Sequence, residues 1–146
     1  MAVEIESDRD VEFANRLIEM ARDDVRQVYL RVTGVLGLAV IFVSQLPFNR
    51  LVHLPLWTRW VLAGGLVSAV LSASLYFHYL SKVHLARLDM MRCVRDRNAA
   101  GVEKIWAGTG SVWERHGWAF KFGSRLLTLS AALLGLTFAV LIELIP

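Results

Sequence analysis

The sequence is nearly without cysteine and proline, and over three long stretches it is without charge. Cys93 is the single cysteine among 146 residues. It can close no intramolecular disulfide, which excludes a disulfide-stapled secreted scaffold, and nothing near it has metal-ligand spacing. Prolines occur at Pro47, Pro55 and Pro146 alone, residues 66–100 hold neither glycine nor proline, and from Asp8 there is none before Gly34. Long unbroken helices are therefore expected. The opening MAVEIESDRD lacks the basic start and early apolar run of a cleaved signal peptide, so the first apolar segment is expected to act as an uncleaved anchor. No charged residue lies in 32–49, 60–81 or 126–142. A soluble two-domain enzyme and a disordered binder are excluded by those runs.

What is present is 55% hydrophobic and 20% charged, with a mean hydropathy of +0.47. The apolar excess is concentrated in the three charge-free runs. At about 1.5 Å per residue each run approaches or exceeds the roughly 30 Å hydrocarbon core once flanking residues are counted. The expectation is an all-α integral membrane protein. Residues 1–31 form a cytosolic amphipathic helix, followed by a first span at 32–49, an outer connector at 50–59 and a second span at 60–81. A basic helix and turn region at 82–123 and a third span at 124–146 complete the chain. Segment 82–125 carries nine lysines and arginines and the N-terminal 31 residues five, against Arg50 and Arg59 in the connector. Basic residues resist translocation, so the N-terminus and the long loop are placed in the cytoplasm. Trp57 and Trp60 suit an outer aromatic belt, and Tyr76, Tyr79, Trp118 and Phe120 an inner one.

Ser7 and Asp8 with Asp10 suggest a helix start, and Phe13, Leu17, Met20, Ala21 and Val28 recur at helical spacing up to a stop near Pro47. Val83, Ala86, Met90 and Val94 form the corresponding stripe after the second span. The first two spans thus extend into a cytosolic antiparallel hairpin, with net charge −3 on the first 31 residues facing +5 on 82–125. Such surface pairing orients helices more than it stabilises them, and it can act between subunits. Helix breaks are expected at Gly101, Gly108 and Gly110, with a restart at Ser111, whose spacing to Glu114 makes a capping box.

Gly64, Ser68 and Ser72, and beside them Gly65, Ala69 and Ala73, place small residues four apart on the second span, a pattern that lets helices approach closely in lipid. In the third span Ser124, Thr128, Ala131 and Gly135 form a similar face, which is a candidate pore lining. Three spans cannot enclose a pore, so conduction requires a homo-oligomer. Glu143, alone among the acids in the last apolar stretch, suits the outer headgroup layer; in a pore it would ring the outer mouth and favour cations. His78, near the inner end of the second span, suits a packed or interfacial histidine.

Arg87, Arg92 and Arg95 share an arc of the basic helix, and Trp106, Trp113 and Arg115 follow in the turn region. Basic groups among aromatics can track phosphates and stack bases, or rest on anionic headgroups of membrane lipid. Catalytic chemistry is not expected. Gly108-Thr109-Gly110 lacks the lysine and hydroxyl of a phosphate loop, and Glu114 and His116 have no nucleophile beside them. His53, His78, His84 and His116 are assigned to different sides or depths, so neither a metal site nor a cofactor is expected.

The order of parts, VEFANRLIEMARDDVRQVYLRV running into a span, PFNRLVHLPLW as connector, and HYLSKVHLARLDMMRCVRDRN re-emerging as a basic helix, resembles the SLATT-type effector domains of bacterial conflict systems. The resemblance covers residues 8 to about 98 and is one of architecture. The third span departs from the two-span pattern, as it does in similar effectors with additional spans. The resemblance implies a membrane pore that depolarises infected cells, gated by a cytosolic nucleotide or single-stranded nucleic-acid ligand and encoded beside a nucleotidyltransferase partner. The other reading of the same residues is a non-conducting adaptor that docks a cytosolic protein.

Overall fold

The computed structural model describes residues 8–45 and 54–143, and side chains there except those of residues 8–10, 42, 45 and 143. Four helices account for nearly all of it: α1 (Asp8–Gln45), α2 (Leu56–Arg95), α3 (Ala99–Trp106) and α4 (Val112–Glu143). No strand occurs among the described residues. At about 1.5 Å per residue the 40 residues of α2 extend about 60 Å. Two helical segments, Leu56–Arg95 and Val112–Ile142, are long and apolar enough to cross a membrane. α1 enters its apolar run at Val32 and is described to Gln45; the expected stop at Pro47 lies outside the described residues, as do the connector residues 50–53 and the terminal Pro146.

The chain divides into two compact units. The first, the charged unit, comprises 8–30 and 77–120. Its buried residues follow a 3-4 spacing on two helices: Ala14, Leu17, Ala21 and Val28 on α1, and Tyr79, Val83, Ala86 and Met90 on α2. This is the seam of antiparallel coiled-coil packing, in which side chains three and four apart interdigitate. Asp24 occupies the seam position between Ala21 and Val28, and the Tyr79 hydroxyl donates to its Oδ2 at 3.1 Å. The expected stripe is corrected here. Phe13 and Met20 are 48% and 58% exposed, because the seam runs through the neighbouring alanines Ala14 and Ala21, whose small side chains allow the helices to close.

α2 ends at Arg95 and the chain reverses over 96–98, with Arg97 at φ 54°. The Asn98 side chain accepts the Gly101 N–H at 2.9 Å as the N-cap of α3. The break expected at Gly101 therefore falls three residues earlier, and Gly101 sits in the first turn of α3. The second turn region follows the expectation. Gly110 has φ 76°, a left-handed conformation that favours glycine. The Ser111 hydroxyl accepts the Glu114 N–H at 3.2 Å, while the Glu114 carboxylate accepts the N–H of Gly110, one residue before the usual capping-box donor.

The second, apolar unit comprises the described residues 31–45, 54–76 and 121–143. Here α2 and α4 run antiparallel, joined by two bonds seven residues apart on each helix. The Ser72 hydroxyl donates to the Gly123 carbonyl at 2.7 Å, and the Ser130 hydroxyl donates to the Gly65 carbonyl at 2.9 Å. Gly65 suits this approach: a Cβ there would lie 3.0 Å from Leu134 Cδ2 and 3.3 Å from Leu133 Cβ, so those side chains would have to give way. Ser68, Ala69 and Ala73 are buried as well, whereas Gly64 is half-buried with Leu133 as its neighbour.

Candidate functional site

α2 takes Gly123 and Ser130 of α4 into its contact, and much of the remaining circumference of α4 is exposed, one side of it bordering α1. Within its most apolar 18 residues only 11% are buried. Two kinds of surface share that open circumference. Leu129 and Leu136 present large apolar side chains, 48% and 49% exposed. About 100° round the helix, Thr128, Ala131 and Gly135 are exposed and Ser124 is half-buried. The Thr128 hydroxyl donates to the Ser124 carbonyl at 3.1 Å, which satisfies it within the helix. A Cβ placed on Gly135 would meet nothing within 4 Å. Ala131 and Gly135 also border an apolar crevice of about 440 Å³ shared with Val35 and Ala39 of α1. Glu143 closes α4, and its side chain lies outside the described residues.

The residues expected to read a ligand do not converge. Arg92 and Arg95 are exposed and paired with Asp89 at 3.2 Å and Asp96 at 3.7 Å. Arg87 is half-buried with its Nε enclosed. Trp113 stacks edge-on against Tyr79 and lies 5.8 Å from Phe120, so much of its ring belongs to the core of the charged unit. Arg115 lies against the turn at Gly110, and Trp106 is half-buried at the end of α3. Among the described residues the ion pairs Arg16–Glu12, Arg92–Asp89 and Arg95–Asp96 are each local in sequence. A bond crossing from α1 to α2 in the charged unit is the neutral-to-acid pair of Tyr79 and Asp24.

Two aromatic assignments change. Tyr76 and Tyr79 are 1% and 0% exposed, so they are core residues and cannot line an interfacial belt, whereas Trp57, Trp60 and Trp118 are more than half exposed. Histidines separated in the sequence reading also come together, His78 of α2 and His116 of α4 standing 5.6 Å apart ring to ring, with Trp118 close by. The pairing follows from the antiparallel register of α2 and α4, which no local spacing encodes. Among the described residues no three metal-ligating side chains gather. Comparison with protein families, curated proteins and solved structures finds no match to this chain.

Proposed function

We propose that the chain is one subunit of a homo-oligomeric channel of the bacterial inner membrane. It has three spans, a cytoplasmic N-terminus and a cytosolic helical head. The observation that supports this most is the uncovered face of Thr128, Ala131 and Gly135. A helix surface meant only for lipid has no need of small and hydroxyl side chains, and Leu129 and Leu136 already supply a lipid-facing side. A face of the other kind suits close contact with further copies or a narrow aqueous lumen gated by apolar rings. Regulation belongs to the same proposal on the strength of the SLATT resemblance. A nucleotide or single-stranded nucleic acid made by a nucleotidyltransferase partner would act on the head through exposed Arg92 and Arg95, and ion flow would depolarise the cell as an anti-phage response.

A second reading, a non-conducting adaptor, draws on Leu85, Leu88 and Met91, which are 54%, 38% and 41% exposed on the α2 stretch of the charged unit. Apolar groups held out on a charged helix suit a protein partner. Ion flux from vesicles holding the purified chain separates the two. The channel reading expects flux, with or without added oligonucleotide, that drops about tenfold or more in Thr128→Leu and Ala131→Leu as the lumen closes. An absence of flux under every ligand and partner condition leaves the adaptor.

A further inference from the structure

Between α1 and α2 the charged unit carries a groove of about 620 Å³. Its lining is largely apolar and partly aromatic, with Val25 and Leu80 half-buried, Tyr29 and Phe77 more than half exposed, and Ser81 beside them. Arg22, Arg26 and His84, all exposed, stand at its rim, and no carboxylate lines it. Neither arginine forms an ion pair or hydrogen bond among the described residues. Asp24 accepts from the Tyr79 hydroxyl, and Glu19 and Asp23 lie outside the groove lining. The apolar lining also sits at a definite place along the chain. Tyr29 stands two residues before the apolar unit begins at Arg31, and Phe77 follows directly on its Tyr76.

From this combination we infer that the groove is a binding site for an anionic phospholipid, its acyl chain against Tyr29, Phe77 and Leu80 and its phosphate between Arg22, Arg26 and His84. Uncompensated guanidinium groups beside an apolar trough match an amphiphile with a negative head, and juxtamembrane cations attract anionic leaflet lipids. A zwitterionic lipid would offer the trough the same chain but would bring its own cation to the rim. A neighbouring copy of the chain is the other conceivable occupant, but the rim supplies cations without a matching acid and so favours the lipid.

The inference rests on the membrane reading above, and its test separates the two. The full chain with Cys93→Ser and Ser81→Cys is labelled with a bimane at the groove and reconstituted into phosphatidylcholine vesicles. These contain equal small fractions of doxyl-labelled phosphatidylglycerol or doxyl-labelled phosphatidylcholine. The expected result is stronger quenching by the anionic lipid, with about fivefold of apparent affinity lost for each of Arg22→Gln and Arg26→Gln. Arg16→Gln, remote from the groove, should leave the preference intact. Equal quenching by the two lipids in protein that floats with the vesicles overturns the site while leaving the membrane reading standing. A preference unchanged by the arginine variants, or a bimane shielded from both lipids through a copy cross-linked at position 81, overturns it equally. Protein that fails to float with the vesicles overturns the membrane reading and the site together.

Discussion

In the charged unit the largest fully buried side chains are Tyr79, Met90, Val28, Val83 and Val102, interleaved with the buried alanines Ala14 and Ala21; in the apolar unit, apart from Tyr76, they are Thr58, Ser72, Ser130 and Thr137. The more hydrophobic half of the molecule is the one held by small and hydroxyl residues. On the membrane reading proposed above, each half is packed as its solvent demands. In water, burying large apolar side chains is itself the driving force, and the seam from Ala14 to Val28 and from Tyr79 to Met90 sets Leu17, Val28, Tyr79, Val83 and Met90 among the alanines that let the two helices close. In lipid a leucine gains little by leaving the acyl chains for a neighbouring helix, and association depends on close backbone approach and interhelical hydrogen bonds. Gly65 under Leu134, and the hydroxyls of Ser72 and Ser130 on the carbonyls of Gly123 and Gly65, meet that demand.

The contrast can be broken by substitution, and the largest effect is expected in the charged unit. Met90→Ala removes a fully buried side chain and should destabilise that unit by about 3 kcal/mol, read from thermal unfolding in mild detergent. An effect below about 1 kcal/mol would show that the seam is not a water-driven core. Gly65→Leu adds apolar surface to an apolar helix and is nevertheless expected to cost about 2 kcal/mol, because the new side chain meets Leu134 and Leu133 where a Cβ alone is already a tight fit. Unfolding of the reconstituted chain by denaturing detergent measures it, and a stabilised variant would refute packing by close approach. The smallest pair sharpens the comparison of polar bonds. Tyr79→Phe, which deprives Asp24 of its donor, should cost about 1.5 kcal/mol, and Ser72→Ala about 0.6 kcal/mol, each by the same unfolding assays.

Much of the helical plan is legible in the residues themselves. Charge-free runs, the absence of glycine and proline from 66–100, and the Ser111–Glu114 spacing foretell α2, α4 and the restart between them. These are local properties of a chain that has few other conformations available. Hydrophobicity alone marks a wide arc that includes Phe13 and Met20, while the true seam is narrower and selects the alanines next to them. Gly101 looked like a helix breaker because the capping capacity of Asn98, which moves the break to 96–98, depends on a left-handed Arg97 that a sequence does not display. The meeting of His78 with His116, the burial of Tyr76 and Tyr79 and the groove beneath Arg22 and Arg26 all depend on interhelical register. Register is settled by long-range fits such as Ser72 on Gly123, and the letters between those residues carry no trace of it.

The open face of α4 tests the proposal most directly. Nitroxide labels placed singly at 128, 129, 131, 135 and 136 of the Cys93→Ser chain in vesicles report whether each site meets oxygen dissolved in lipid or a water-soluble nickel chelate. The channel predicts chelate access at 128, 131 and 135 and oxygen access at 129 and 136, two faces of one helix about 100° apart. Oxygen access at all five positions would contradict it, since the small-residue face would then be one more surface turned toward lipid.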